Sequence, residues 1–551
     1  MACSRKSEAG ATVADVLVVG YGPVGQVLSL LLARHGWRVV VAEQWPTPYQ
    51  MPRAVTFDGH AARIIATAGP ADIISRVGEP SADYVIENGS GQTLLRIGFR
   101  PAGRHGWPDS TSMYQPGLEA ALAARGASQP GLRVLRGHRV TRLAEHGPVV
   151  EAVITDVSTE QESVLRARWV VGCDGANSCV RSHIGTTVRN FGFSVDWMAC
   201  DVTPFRPSDF PPSNLQVADP AAPRVAVSAG PGHRRWEFMR LPGEAPEEFG
   251  NLASAWRRLA VFGVTPANAR LDRHAVYTIG ARCADRWRSG RIFIAGDAAH
   301  QMPPFAGQGL CSGIRDAANL AWKLDLVLSG RQDGTLLDTY ECERKVNAER
   351  VIQLSVWLGN LICVTDRAEA SERDAVMLRS ASVPGSSPEI PDSLASGLLY
   401  RAAGGARAGH AGSLLPQALV TCGGRTGWFD QMAGSGFVLL ARTDPATLLD
   451  QDLRDFLHDL GTRFVHVVPP GGTGVGNGPP GQAFLDAGHE YLRWLESMQA
   501  LGVLVRPDFY LFGIGRDRAE MAAVVADLRA CLGPGPVSQK GERSDYSGAL
   551  R

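Results

Sequence analysis

Short apolar runs that stop at glycine set the rhythm of the N-terminal part of the chain. Val16 to Val19 is the first such run, and it passes into Gly20-Tyr21-Gly22-Pro23-Val24-Gly25. A helical stretch ending at Gly36 and a second apolar strand closing at Glu43 follow. Strand, glycine-rich turn, helix and strand in that order predict a βαβ unit with parallel strands. The first two glycines allow a tight turn and the close approach of a pyrophosphate, and the third lets helix and strand pack. Glu43 stands at the spacing where an acid binds ribose hydroxyls. Gly20, Gly22, Pro23, Val24, Gly25, Glu43 and Gln44 are therefore candidate dinucleotide contacts. The plainer alternative is a glycine-rich turn in an ordinary βαβ unit.

Two further apolar runs end in an acid–glycine pair. Trp169 to Gly172 leads to Asp174-Gly175, with Arg181 one turn further on; out of context this is a plain turn. Ile292 to Ala295 stops at Gly296-Asp297, and a proline pair and a glycine-rich loop precede an amphipathic helix from about Leu310. A carboxylate at a strand end, just before a helix N-terminus rich in free N–H groups, suits a ligand with hydroxyls and an electron-rich head. Asp297 is placed to accept hydrogen bonds from a ribityl chain. The amides around Gly307, Gln308 and Gly309 are placed to stabilise negative charge on a reduced flavin ring.

Composition narrows the class. A chain of 551 residues, 44% hydrophobic, exceeds one ordinary domain and supports a large core. Its 55 basic residues balance 55 acidic ones, with no basic block, which argues against nucleic acid or a polybasic membrane contact. No apolar run approaches the roughly 18 residues of a membrane span. The first 14 residues have no apolar signal core and read as disordered, so the expected location is cytoplasmic. Ten scattered cysteines show no CxxC or metal-type spacing, so no metal site is expected.

The three motifs in this order resemble those of the class A flavoprotein monooxygenases, the single-component FAD-dependent aromatic hydroxylases. PRAVTFDGHAARI (52–64), RRWEFMRLPGE (234–244) and GDAAHQMPPFAGQGLCSGIRDAANLAWKL (296–324) are most similar to the 3-(3-hydroxyphenyl)propionate and phenol hydroxylase branch. The similarity is strong over about 15–400 and weaker beyond. It implies an α/β fold with a discontinuous Rossmann-type FAD domain (15–190 and 280–400) and an inserted β-sheet substrate domain (191–279 with part of 80–105). That insert has alternating strands and few helix patterns. The stretch 380–397, rich in Ser, Pro and Gly, reads as a linker. Beyond it, 401–551 resembles a thioredoxin-like α/β domain without a redox cysteine pair, assigned to packing or homodimer contacts. Within it 469–481 reads as a mobile Gly/Pro loop.

The resemblance also implies chemistry. FAD would be held non-covalently and reduced by NAD(P)H, which needs no second GxGxxG unit. The reduced flavin would react with O2 to give a C4a-hydroperoxide that attacks an electron-rich ring carbon. Phenolate is far more reactive than phenol, whose pKa of about 10 keeps it protonated at neutral pH, so a base near the ring hydroxyl is expected. Asp58 and Tyr277 match the family's active-site aspartate and tyrosine, as base or acceptor and as relay. Asp58 also stands where it would cap a helix from about His60, and Tyr277 reads equally as a strand aromatic. His60 occupies a position where relatives often carry an acid.

Arg53, Gln115, Asp174, Gly296, Pro304, Gly307, Gly309 and Leu310 match cofactor contacts, whereas Arg315 and Asp316 read as structural ion pairs. Strand alternation puts Trp236, Phe238 and Arg240 on one face and Arg235, Glu237 and Met239 on the other. The aromatic face is the expected pocket lining, with Arg240 available to a polar substituent or left as a solvated strand charge. The expected partner is a small phenolic substrate. Baeyer–Villiger oxygenation of a polyketide-like aromatic, and a dehydrogenase or oxidase, are the alternative activities.

Overall fold

The computed structural model describes residues 13–70, 72–380, 390–402, 407–469, 483–486 and 488–533. Three expectations fall largely outside them: the disordered N-terminus (1–12), the core of the linker (381–389) and most of the Gly/Pro loop (470–481).

Ala14–Val19, all six residues buried, sits inside the first sheet. It pairs in parallel with Val39–Glu43 on one side and Glu162–Gly172 on the other. Leu132–Arg136 and Ile292–Ile294 extend the parallel set outward. Register brings the strand ends into line: Val19 pairs with Ala42 and with Gly172, and Gly172 with Ile294. The loops after Val19, Glu43, Gly172 and Ile294 therefore leave the same edge of the sheet. Helices Pro23–Arg34 and Gly309–Leu328 pack closely because Gly313 has no side chain. A Cβ there would lie 2.6 Å from Val24 and 3.1 Å from the Gly296 Cα.

The second sheet is eight-stranded and almost wholly antiparallel. Its spine is the long pair Val188–Pro204 and Ala269–Ala284. Arg234–Met239, Arg224–Ser228 and Asn214–Ala218 continue it to Asp83–Asn88 and Thr93–Gly98. One face carries Met198, Cys200, Ala226, Trp236 and Phe238 against Phe249, Ala255 and Leu259. These last come from helices Pro246–Phe249 and Leu252–Leu259, the second capped by Asn251, which accepts from the Ser254 amide at 2.9 Å. The sequence reading assigned neither helix. The other face carries Arg235, which donates to the carbonyls of Pro52 and Arg53.

The third sheet, seven-stranded, runs in the order Arg425–Trp428, Leu419–Cys422, Ala483–Asp486, Arg463–Val468, Val438–Ala441, Gly502–Val505, Leu511–Gly515. This unit docks on the helix Gly309–Leu328, with Trp322 and Leu326 entering a cluster with Phe437, Leu439 and Phe512. A fully buried charge network crosses the same junction. Arg506 donates to Glu343 at 2.6 Å and to Asp508 at 2.7 Å, Lys323 to Glu343 at 2.8 Å, and Asn319 to both acids. Burial alone would raise the pKa of Glu343, but Arg506 and Lys323 hold it down at about 2. Among the described residues no helix is long and apolar enough to cross a membrane, and no three His, Cys, Asp or Glu residues cluster as a metal site.

Removing one member of such a network strands the others without water or partner. Arg506→Met is expected to lower stability by about 3–5 kcal/mol, read as a fall in the urea midpoint. An unchanged midpoint would mean that the junction is held by apolar contact alone. The carboxylate of Glu343 is more acidic folded than unfolded. Its stabilisation is therefore present above pH ~4.3 and lost as pH falls toward 2.

Candidate active site

The loops at that edge of the first sheet enclose a cleft of about 320 Å³ lined by Gly20, Gly22, Pro23, Glu43, Gln44, Arg53 and Asp174, among others. The glycine turn closes on itself. Gly20 has φ +99°, and a Cβ there would sit 2.5 Å from the Cys173 carbonyl oxygen. A Cβ on Gly25 would sit 2.2 Å from the Gly20 oxygen, whereas one on Gly22 would meet nothing within 4 Å. Two glycines thus make the turn possible, and the third leaves its surface bare to the cleft. Pro23 opens the helix without losing a bonded N–H, and its first-turn amides have no partner within the helix. Val24 is different: its side chain packs between Gly296 and Gly313 and not into the cleft. Glu43 accepts from the amides of Tyr21 at 2.7 Å and Trp45 at 2.9 Å, which holds its carboxylate at the cleft wall with lone pairs to spare.

Asp174 accepts from the amides of Cys179 at 2.8 Å and Val180 at 3.2 Å. Arg181 donates to Ala298 O at 3.0 Å and Ala176 O at 2.7 Å, tying the loop after Asp174 to the loop carrying Asp297. Asp297 is exposed and, among the described residues, makes no hydrogen bond. Gly296 and Gly307 take left-handed backbones, φ +62° and +64°, where a side chain is strained. Gly309 and Leu310 begin the twenty-residue helix Gly309–Leu328. An acid for ribose, a bare glycine turn with helix amides, a free carboxylate and a second helix N-terminus form a donor set that fits FAD.

Arg53 is exposed at the cleft, stacked over the Tyr49 ring at 5.1 Å. Its loop is held from both sides. Gln115, buried at a helix start, accepts from the amides of Arg53 at 2.8 Å and Ala54 at 2.7 Å. From the second sheet, Arg235 donates to the carbonyls of Pro52 and Arg53, and Arg273 to that of Pro52. Asp201 lies between these two guanidinium groups, 2.7 Å from each.

A second cavity, of about 100 Å³, lies between the loop Pro304–Gln308, the segment Val55–Asp58 and the inner face of the second sheet. That face contributes Asn214, Gln216, Val225, Val227 and Glu237. Through Asp58, Tyr84, Phe99 and Phe305 it adjoins a larger space of about 550 Å³ bordered by His60, His105 and Arg315. Three carboxylates line the small cavity, Asp58, Asp109 and Glu237. Asp109 is paired with Arg100 at 2.9 Å, and the other two lie in opposite surroundings. Asp58 caps the helix Gly59–Ala68, accepting from the Ala61 amide at 2.8 Å, and pairs with the Arg315 guanidinium. Burial alone would raise its pKa, but Arg315 and these hydrogen bonds hold it below the usual range. For Glu237 burial dominates and raises the pKa, against the pull of Arg235. Tyr277 donates to Glu237 Oε2 at 2.9 Å, and burial with that neighbouring carboxylate keeps its phenol far above the ordinary pKa. Burial and Arg315 keep His60 neutral, and burial and Arg63 push His105 down to about 3.

Several placements differ from expectation. Asp58 and Tyr277 are not bonded to each other: the first goes to Arg315 and Ala61, the second to Glu237. Trp236 and Phe238 lie on the far face of the sheet, in the cluster with Phe249 and Leu259. Arg240 pairs with Asp196 at 2.8 Å and donates to the Glu244 carbonyl. The two faces of the strand were divided correctly, but the apolar one packs on the unforeseen helices. The polar one faces the cavity. Arg315 is an ion pair, as expected, yet it borders the cavity; Asp316 pairs with His300 and Arg344 away from it. Glu237, Gln216, Arg235 and Arg273 were not singled out. Their signal was charge or amide at alternate positions of strongly apolar strands, where burial demands a partner or a purpose.

Comparison with known proteins agrees with this geometry. Residues 13–355 match the family model described as an FAD binding domain, and 412–530 that of the HcaD C-terminal domain. A probable NADH-specific resorcinol 4-hydroxylase from Rhodococcus jostii (strain RHA1) is 37% identical over 96% of this chain and 97% of its own. A 3-(3-hydroxy-phenyl)propionate/3-hydroxycinnamic acid hydroxylase from Mycobacterium sp. (strain KMS) is 34% identical over 83% of this chain and 80% of its own. Among solved structures, a ternary complex of aklavinone-11 hydroxylase with FAD and aklavinone superposes with a TM-score of 0.71 at 25% identity. That match covers 94% of this chain and 99% of the other.

The hold of Gln115 on the Arg53 loop is directly measurable. Gln115→Leu removes the acceptor of two amides, each hydrogen bond worth about 1 kcal/mol net. Hydrogen exchange at Arg53 and Ala54 is expected to quicken roughly tenfold in the variant. Unaltered exchange would show that Arg235 and Arg273 fix the loop by themselves.

Proposed function

The chain belongs to the family of single-component FAD-dependent aromatic hydroxylases, and on that premise we propose that it transfers one oxygen atom from O2 to a phenolic ring at the expense of NAD(P)H. The observation that carries this reading is the small cavity. It has apolar walls from Val55, Phe57, Val225, Val227 and Phe305, the carboxylates of Asp58, Asp109 and Glu237, and the Pro304–Gln308 loop as its floor. An aromatic ring with a polar substituent suits such a space.

FAD, when bound, supplies the redox and oxygen-activating chemistry. The chain's own residues bind, orient and shelter. Gly20, Gly22, Gly25 and the first-turn amides of the helix from Pro23 would hold the pyrophosphate; Glu43 the ribose; and Asp297 the ribityl hydroxyls. Asp174 shapes the loop beside them. Pro304, Gly307 and the amides of Gly309 and Leu310 would border the flavin ring. The Arg53 loop, fastened by Gln115, Arg235 and Arg273, carries its guanidinium at the mouth of the cleft. Apolar side chains around the small cavity exclude water, which limits wasteful release of peroxide. Asp58, locked to Arg315 as a permanent anion, fixes the helix Gly59–Ala68 and the polarity of one wall. Tyr277 orients Glu237.

The strand order around Val438–Ala441, with parallel and antiparallel neighbours, supports a thioredoxin-like reading of the C-terminal unit. Its cysteines at 422 and 531 are far apart in sequence, so its part is structural. Resorcinol, the named substrate of one relative, and 3-(3-hydroxyphenyl)propionate, that of another, are the ring systems to try first. The buried polar residues of the cavity favour resorcinol, whose two hydroxyls match its two-sided polarity.

Two results are expected. Under air, resorcinol accelerates NADH oxidation and yields a product heavier by one oxygen atom in mass spectrometry. Acceleration with peroxide as the sole product would refute hydroxylation of that ring. Asp297→Ala, deprived of the ribityl acceptor, emerges from gel filtration with most of its flavin lost; full yellow colour would remove Asp297 from the cofactor site.

A further inference from the structure

We propose that Glu237 is the proton acceptor for the substrate's ring hydroxyl, with Tyr277 as its positioning partner. The inference rests on the phenol-hydroxylase reading and deepens it by assigning the base. Glu237 lies on the inner face of the second sheet, where its pairing register with Val225 and that strand's with Gln216 make one row across three strands. All three side chains line the small cavity. The carboxyl is buried, 6% exposed, yet incompletely satisfied. Oε2 receives the Tyr277 hydroxyl at 2.9 Å. Oε1 lies 3.5 Å from Arg235 Nη1 and, among the described residues, receives no hydrogen bond.

Arg235 does not explain its presence. That guanidinium is already committed to Asp201 and to the carbonyls of Pro52 and Arg53. A buried carboxylate with an open lone pair, lining a small cavity of mixed apolar and polar walls, has the geometry of a base awaiting an O–H donor. Of the other two carboxylates, Asp109 is held by Arg100 at 2.9 Å, and Asp58 is spoken for: the Ala61 amide and Arg315 occupy it. Its affinity for a proton is depressed where that of Glu237 is raised, which is the wrong direction for Asp58 to act as a base near neutral pH.

The step balances simply. The ring O–H bond breaks, its electron pair stays on oxygen, and the proton bonds to Glu237 Oε1. After oxygen has been added at a ring carbon, that carbon's hydrogen leaves as a proton, taken up by the oxyanion left when the O–O bond cleaves, and its bonding pair restores the aromatic ring. The proton held by Glu237 then returns to the ring oxygen, and the carboxylate is restored. The groups that set the proton affinity of Glu237 are Arg235 on its own strand, Asp201 on the strand Val188–Pro204, and Arg273 and Tyr277 on the strand Ala269–Ala284.

The test uses the FAD-loaded protein and 5-fluororesorcinol, whose fluorine resonance distinguishes phenol from phenolate. In the wild type the bound ring should ionise well below the pH at which the free ring does. Glu237→Gln should bind the ring within about threefold of the wild-type affinity but abolish that shift, and should cut kcat on resorcinol at least a hundredfold with KM little changed. Glu237→Asp should restore part of both. Tyr277→Phe, which leaves the carboxyl in place, should move the ionisation of the bound ring without abolishing the shift, and Asp58→Asn should retain the shift. An undiminished ionisation shift in Glu237→Gln overturns the proposal, as does its loss in Asp58→Asn alone. If Glu237→Gln does not fold, an ionisation in Tyr277→Phe identical to the wild type overturns it. Failure of the underlying reading looks different: the wild type itself would neither bind the fluorinated ring nor hydroxylate resorcinol.

Discussion

Everything at the active site depends on how five parallel strands end. Ala14–Val19 pairs with neighbours on both sides so that Val19, Ala42, Gly172 and Ile294 finish at one level. Parallel strands carry unsatisfied groups and turning chain to the same edge, which is why ligands of open α/β sheets collect there. Here three segments, separated by more than a hundred residues in sequence, are delivered to one edge of the sheet by that register alone. A slip of one residue in any strand would exchange the faces its side chains pack against and displace its loop.

The second sheet contributes in another way. It covers the cleft's neighbour with one face and buries an apolar layer with the other, and its charges do mechanical work. Arg235 and Arg273, neutralised by Asp201, reach across to carbonyls of the Arg53 loop. Burying Arg235 and Asp201, with Arg273 half-buried beside them, is unfavourable unless each is paired and hydrogen-bonded. Once they are, the loop has few alternative positions, because any shift would strand a guanidinium in apolar surroundings. The cofactor loop and the substrate sheet are coupled by this clamp, and the cavity between them inherits its dimensions.

Much of this was legible in the chain. The glycine turn, Asp174, Asp297 and the long helix after Gly309 all come from apolar runs broken by particular residues, and periodicity with turn chemistry reports those faithfully. The cavity wall was not legible in the same way. RRWEFM gives a clean two-face pattern, but a pattern does not say which face meets the ligand. Aromatic residues look like a pocket and charged ones like solvent. The opposite arrangement holds because Pro246–Phe249 and Leu252–Leu259, short helices without long periodicity, cover Trp236 and Phe238. Likewise the capping role of Asp58 was foreseeable from Asp58-Gly59-His60. Its partner Arg315, 257 positions later in the chain, was not.

The contrast between the two carboxylates then arises from their surroundings more than from their identity. Both are removed from water, which by itself favours the neutral acid. At Asp58 a guanidinium and a helix amide outweigh that tendency, so the group stays charged and inert to protons across the neutral range. At Glu237 the nearest cation is shared three ways and the nearest hydroxyl belongs to a tyrosine that will not ionise, so burial prevails. One wall of the cavity is therefore a fixed anion and the other an adjustable one. It is this contrast that makes the sheet-side carboxylate the proposed proton acceptor for a phenol.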